Sequence, residues 1–173
     1  MSQAVLNLPL ARTTGTTSNS AIGTYAVALG VQPTLLGGFF ASPIRIPLDF
    51  NRTQPSRLYV DLAPSANSVA AATFARLELG KTVQAPGAAR VEALIAVDWP
   101  VPNPWNTTEL SRVLLDNGTG YTFNANEIPP AALIGLRLTR NGPHANDTWP
   151  GTLLIAQNLQ LQYLRLYPWE YCC

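Results

Sequence analysis

Hydrophobic side chains alternate with polar ones along several short stretches of the chain, which is the pattern of half-buried β-strands. On one face of residues 91–98 the apolar side chains are Val91, Ala93, Ile95 and Val97. The same period of two recurs at 44–50, 57–63 and 133–140. Fifteen prolines and twelve glycines separate such segments at short intervals. Many short strands between turn residues predict an all-β fold, a single jelly-roll β-barrel or sandwich.

Two segments depart from this pattern. Segment 106–118 offers Asn106 or Thr107 as a helix cap, Glu109 in the first turn and Gly118 as a stop, with three apolar residues on one helical face: Leu110, Val113 and Leu114. This pattern predicts one short helix. Segment 66–80 alternates as a strand does, although its alanines also suit a helix, and we favour the strand.

The chain shows no internal repeat and no linker, so it is most simply a single domain. Residues 1–20 include the polar run RTTGTTSNS and are predicted to form an N-terminal arm. The jelly-roll domain is then expected over residues 21–167, followed by a C-terminal tail over residues 168–173.

Composition narrows the class of protein. Of the 173 residues, 47% are hydrophobic and only 12% are charged, which is about half the usual charged share. A subunit that covers its surface with partners fits this composition. The formal net charge of +1 gives no case for sequence-specific nucleic-acid binding. The N-terminus lacks the pattern of a secretory signal, which predicts synthesis in a cytoplasm without export by that route.

Candidate catalytic chemistry is sparse. His144 is the single histidine and lies in a predicted loop, and the sequence carries no nucleophile elbow, phosphate-binding loop or metalloprotease motif. We therefore predict no catalytic residue, no cofactor and no metal ligand. Ten acidic residues are spread thinly along the chain, so a carboxylate-dependent glycosidase stays open only as an alternative.

Three tryptophans sit beside prolines in predicted loops: Trp99, Trp105 and Trp149. Their faces can stack on sugar rings, which makes them the candidate ligand-facing aromatics of a carbohydrate-binding protein. The competing interpretation is that they cover the ends of the sandwich or fill subunit contacts.

The end of the chain is rich in aromatic residues and carries both cysteines. We predict a subunit interface formed by Tyr163, Tyr167, Trp169, Tyr171, Cys172 and Cys173. Neighbouring cysteines are poorly placed to bridge each other, so they are free thiols, ligands, or links to another chain. The apolar phase of the last strand also switches near Tyr163, which predicts a bulge or a strand covered on both faces.

The segment from Ala132 to Tyr167, ALIGLRLTRNGPHANDTWPGTLLIAQNLQLQYLRLY, resembles the closing hairpin of jelly-roll domains in phage virion proteins. Two strands flank a loop that contains Asp147, Thr148 and Trp149. The whole chain is similar to the small major capsid proteins of tailless, icosahedral, internal-membrane phages of the sphaerolipovirus type that infect Thermus.

This resemblance implies a viral structural protein that is made in the host cytoplasm and located in the virion capsid. It implies an upright single β-barrel, homodimers, and capsomers shared with a second, larger capsid protein around an internal membrane. Two alternatives remain from the residues themselves. One is the receptor- or carbohydrate-binding head of a bacteriophage fibre, and the other is the glycosidase.

Overall fold

A computed structural model describes residues 2–12, 19–22, 26–31, 36–68, 72–116 and 118–166. Ten strands and no helix occur in these ranges. The strands are β1 (Gln3–Arg12), β2 (Asn19–Ile22), β3 (Ala26–Val31), β4 (Leu36–Arg45), β5 (Arg57–Pro64), β6 (Phe74–Gln84), β7 (Val91–Pro100), β8 (Ser111–Leu114), β9 (Leu133–Asn141) and β10 (Leu153–Leu164). Within the described ranges nothing helical is available to cross a bilayer. The all-β prediction is confirmed.

The strands form two antiparallel sheets that share β1. Residues 3–9 of β1 pair with β10, which also pairs with β3 and β5, and β2 and β8 extend this first sheet. Residues 10–12 of β1 pair with β4, and the second sheet continues in the order β4, β9, β6 and β7. The result is a β-sandwich of the jelly-roll type.

The core lies between the two sheets and follows the alternation read from the sequence. On β6 and on residues 57–62 of β5 every second side chain is buried, and the fully buried ones include Leu58, Val60, Leu62, Leu77 and Leu79. Alternation has this effect because successive side chains of a strand point to opposite faces of the sheet.

The predicted helix at 106–118 is wrong. The Asn106 N–H donates to Glu109 Oε2 at 3.2 Å, which is one half of a capping box, but the Glu109 N–H donates to the Asn106 backbone carbonyl at 3.0 Å and not to the side chain. Residues 107 and 108 form a turn between them, and the chain then enters β8, which pairs with β5. Val113 and Leu115 are both buried, and a spacing of two residues is what a strand requires.

Two further expectations are corrected. Residues 1–20 are not an arm throughout, because β1 lies inside the fold with β10 on one side and β4 on the other. The segment from Ala132 to Tyr167 does not form a closing hairpin, because β9 pairs with β4 and β6 in the second sheet whereas β10 belongs to the first.

The pairing of strand β10 is irregular, but not near Tyr163, where the switch of the apolar face predicted a bulge. The pairing with β5 shifts between Ile155 and Leu159, whereas Leu159, Leu161 and Tyr163 continue one uninterrupted buried face. Leu164 on the other face is partly buried. The bulge therefore lies before the segment in which the sequence suggested it.

Candidate functional site

The three tryptophans that were predicted to lie in loops meet at one end of the sandwich, although Trp99 lies on β7. The ring centroids of Trp99 and Trp105 lie 5.2 Å apart in an edge-to-face arrangement, and those of Trp105 and Trp149 lie 5.6 Å apart. Trp105 and Trp149 are only 1% and 2% exposed, so their faces are not open to a sugar. Trp99 is partly buried and packs against the same core. The prediction of ligand-facing tryptophans is wrong for the two buried residues, which close the end of the sandwich.

A buried ion pair lies beside this cluster. The Arg140 guanidinium donates from Nε to Asp147 Oδ2 at 2.8 Å and from Nη2 to Asp147 Oδ1 at 2.7 Å, and both side chains are fully buried. Nη1 donates to the Gly151 carbonyl and Nη2 donates also to the Trp149 carbonyl, each at 2.6 Å. The guanidinium also stands 5.1 Å from the centre of the Trp149 ring. One side chain of β9 thus holds both ends of segment 147–151.

The same loop is fastened to the start of β6. The Phe74 carbonyl accepts hydrogen bonds from the N–H groups of Thr148 and Trp149, at 2.9 and 3.0 Å. The Phe74 N–H donates to Thr148 Oγ1 at 3.0 Å, and the Arg76 N–H donates to Asp147 Oδ2 at 3.1 Å. These four bonds fix the β9–β10 loop against a strand far away in sequence, so the loop is held rigidly.

A pocket of about 340 Å³ opens where this loop meets β6 and β7. Its lining residues are Phe74, Asp98, Ala145, Asn146 and Thr148. Asp98 accepts hydrogen bonds from Arg76 Nη1 at 2.7 Å and from Asn146 Nδ2 at 2.8 Å. The bond from Arg76 is the main reason that the pKa of Asp98 lies below its usual value. The pocket therefore combines an aromatic ring, a charged carboxylate and an amide.

Phe74 and Asn146 were not among the candidate residues taken from the sequence. A signal for Phe74 was present, because it shares its face of β6 with Arg76 and Glu78 and so stands as an aromatic residue on a polar face. It is 41% exposed. Asn146 had no comparable signal, since its position depends on how the loop folds back.

His144 and the carboxylates have structural partners. The Nδ1 of His144 accepts the Asn146 N–H at 3.1 Å inside the loop. Each carboxylate in the described ranges has a hydrogen-bond or ion-pair partner, and the acidic residues concerned are Asp49, Asp61, Glu78, Glu92, Asp98, Glu109, Asp116, Glu127 and Asp147.

Neither Asp98 nor Glu109 has the electrostatic signature of a glycosidase general acid. A general acid of a glycosidase needs a raised pKa. The pKa values of Asp98 and Glu109 are shifted in the opposite direction, in Glu109 mainly by the hydrogen bond from the Asn106 side chain. Among the described residues, no group of three or more potential metal-binding side chains comes together. The glycosidase alternative gains no support from this geometry.

The outer face of the second sheet carries a shallow apolar groove of about 580 Å³. Its floor includes Gly80 and Gly135 on neighbouring strands, and Leu94 of β7 forms part of its wall. Leu94 is 67% exposed. In the part of the chain that the structure describes, β7 pairs with β6 alone, so its other side is an open sheet edge.

Tyr163, one of the predicted interface residues, is buried against the protein's own core. It is 6% exposed, its ring centre is 5.1 Å from that of Phe50, and its hydroxyl donates to Asp49 Oδ1 at 3.2 Å. Burial is the main cause that raises the pKa of Tyr163. The other predicted interface residues lie outside the described residues: Tyr167, Trp169, Tyr171, Cys172 and Cys173.

No protein-family model and no curated protein matches this chain. Among solved structures it is similar to a family 30 carbohydrate-binding module, with a TM-score of 0.45, 10% identity, and 90% of this chain and 98% of that one covered. It is similar to TmCBM61 in complex with β-1,4-galactotriose (TM-score 0.36, 8% identity, 91% and 86% covered). It is also similar to a proposed glycoside hydrolase from Bacteroides vulgatus (0.41, 12%, 88% and 78%). None of these likenesses bears on what this chain binds.

Proposed function

We propose that this protein is a structural subunit that assembles with further copies of itself, and that β7 is the edge through which two copies join. The observation that carries the proposal is the length and regularity of this open edge. Strand β7 pairs with β6 through ten consecutive residue pairs without a bulge.

Strand β7 lacks most of the features that keep an exposed edge from pairing. Natural edge strands are protected by lysines, prolines, bulges or short length. The strand VEALIAVDWP has no lysine, its one proline is its last residue, and Val91 and Leu94 are 62% and 67% exposed. An open strand of this kind is a template for another strand.

A second copy of β7 is a suitable partner, because its charged residues can lie opposite charges of the other sign. An antiparallel pair centred on Leu94 sets Arg90 of each copy opposite Asp98 of the other, and Glu92 opposite Ala96. A pair centred on Ile95 would set Glu92 opposite Asp98, which brings like charges together. The first register also joins the two outer faces into one continuous sheet, with the two Leu94 side chains at the two-fold axis.

We propose more specifically that this subunit lies in an icosahedral virion shell, beside a larger capsid protein and above an internal membrane. The resemblance to phage capsid proteins supports it, as does the low charged fraction of 12%. A shell subunit buries much of its surface against neighbours, and interface centres are poor in charged residues.

The test is a mass measurement by size-exclusion chromatography with light scattering. The parent protein is expected at twice the chain mass of 18.6 kDa. The variant Leu94→Lys places two like charges at the two-fold axis and is expected at the single chain mass. Leu110→Lys is the matched control, because Leu110 is 63% exposed and lies outside β7, and it is expected to keep the mass of the parent.

Two results would contradict the proposal. One is a parent protein that is monomeric at every concentration. The other is a Leu94→Lys variant that keeps the parent mass, which would place the contact elsewhere. Circular dichroism of each variant establishes that its β-structure is intact.

A further inference from the structure

We propose that the pocket between the β9–β10 loop and the start of β6 is a binding site for a neutral sugar in its pyranose form, with Phe74 as the stacking surface and Asn146 and Thr148 as the hydrogen-bonding groups. This site shares Asp98 with the β7 contact, but the proposal does not rest on self-assembly. It also differs from a site built on the tryptophans, two of which are buried.

The pocket offers an exposed aromatic surface. Phe74 is 41% exposed although it lies at the end of a well-packed sandwich, and its ring lines the pocket. The apolar C–H face of a pyranose ring packs on such a ring, whereas the hydroxyl groups around its rim need polar partners. An exposed aromatic residue next to hydrogen-bonding side chains offers both.

The pocket also offers polar groups that can bond a ligand. Asn146 gives one amide hydrogen to Asp98, so its other amide hydrogen and its Oδ1 remain for a ligand within the described structure. Thr148 Oγ1 accepts the Phe74 N–H and can still donate its own proton. An amide and a hydroxyl each donate and accept, as vicinal sugar hydroxyls do. Neither group carries a charge, and the charge of Asp98 is already paired with Arg76, which suits a neutral ligand.

Hydrogen bonds hold the side chains and backbone of this site in place. Phe74 is held by three hydrogen bonds to Thr148 and Trp149, and Asn146 is oriented by Asp98, which is itself bonded to Arg76. The loop that carries these groups is anchored through the buried pair described above. A preorganised site loses little entropy when a ligand binds. The volume of about 340 Å³ is at the small end of ligand pockets, which suits one sugar ring.

The experiment is saturation-transfer NMR followed by titration with four probes, the methyl pyranosides of galactose, glucose, mannose and N-acetylglucosamine. We expect the parent protein to bind at least one of them. Phe74→Ala removes the stacking surface, and Asn146→Ala removes the amide; each is expected to weaken binding about tenfold or more. Leu110→Ala is the control, because Leu110 is 63% exposed, lies outside β7 and does not line this pocket.

Asn146 is exposed and takes no part in the core, so Asn146→Ala keeps the test decisive even where Phe74→Ala disturbs the fold. Loss of binding in both site variants, with binding kept in Leu110→Ala, would support the assignment. Binding of none of the four probes would overturn it. Binding that survives either site replacement, or that is lost equally in the control, would overturn it as well.

Discussion

The buried pair of Arg140 and Asp147 makes a sharp prediction about stability. The variant Asp147→Asn keeps the shape of the side chain but removes the charge that faces the guanidinium. Removing one partner of a buried ion pair costs about 3–5 kcal/mol of the free energy of unfolding, because the other charge stays buried without compensation. Domains are stabilised by only about 5–15 kcal/mol in total, so this loss is a large fraction.

The hydrogen bonds of the site explain why an amide is a poor substitute. Both oxygens of Asp147 are occupied, one by Arg140 Nη2 and the other by Arg140 Nε and the Arg76 N–H. An asparagine presents one oxygen and one NH₂ group, so in either orientation it sets a donor against a donor. Arg140 is 0% exposed and cannot turn to water instead. We therefore expect a cost in the upper part of the stated range.

Urea denaturation followed by tryptophan fluorescence measures this cost, because Trp149 packs on the guanidinium and reports on the site directly. Asp61→Asn is the matched control. Asp61 also forms a two-bond pair with an arginine, at 2.8 and 3.1 Å, but Arg112 is 56% exposed. Exposed pairs of this kind contribute about 0–1 kcal/mol. An Asp147→Asn variant that loses no more stability than Asp61→Asn would refute the reasoning.

Two further predictions concern the core. Burial raises the pKa of Tyr163 above its ordinary 10.0, so as the pH rises this tyrosine ionises in the unfolded chain before it ionises in the folded one. The neutral side chain therefore makes its full contribution to stability below about pH 10, and this contribution is lost as the pH rises further. Urea titrations at about pH 9 and about pH 11 should show a larger fall in stability for the parent than for Tyr163→Phe, and equal falls would count against this. A methyl group added at Gly151 would lie 2.7 Å from Trp149 Cε2, so Gly151→Ala is expected to lower the free energy of unfolding by about 1–3 kcal/mol. In Gly135→Ala the added methyl group meets nothing closer than 3.6 Å, so thermal melts should show a drop for Gly151→Ala only.

The candidate site was only partly predictable from the sequence. The sequence around Asp147, Thr148 and Trp149 predicts a loop between two strands, but it also makes Trp149 a candidate surface for sugar stacking. The structure buries that ring against the Arg140 guanidinium and exposes Phe74 instead. An aromatic residue beside a proline looks the same in sequence whether it faces water or the core, because its neighbours in space come from distant strands.

The sequence by itself determined the strands that alternate clearly, such as β5 and β9, because the two-residue period is a local property of the chain. Tertiary structure decided the rest. The Glu109 carboxylate accepts the Asn106 N–H as the local pattern indicates, yet burial of Val113 beside β5 makes the following segment a strand. The two strands that flank the β9–β10 loop pair with different neighbours, because strand partners are chosen by packing across the whole sandwich and not by order along the chain.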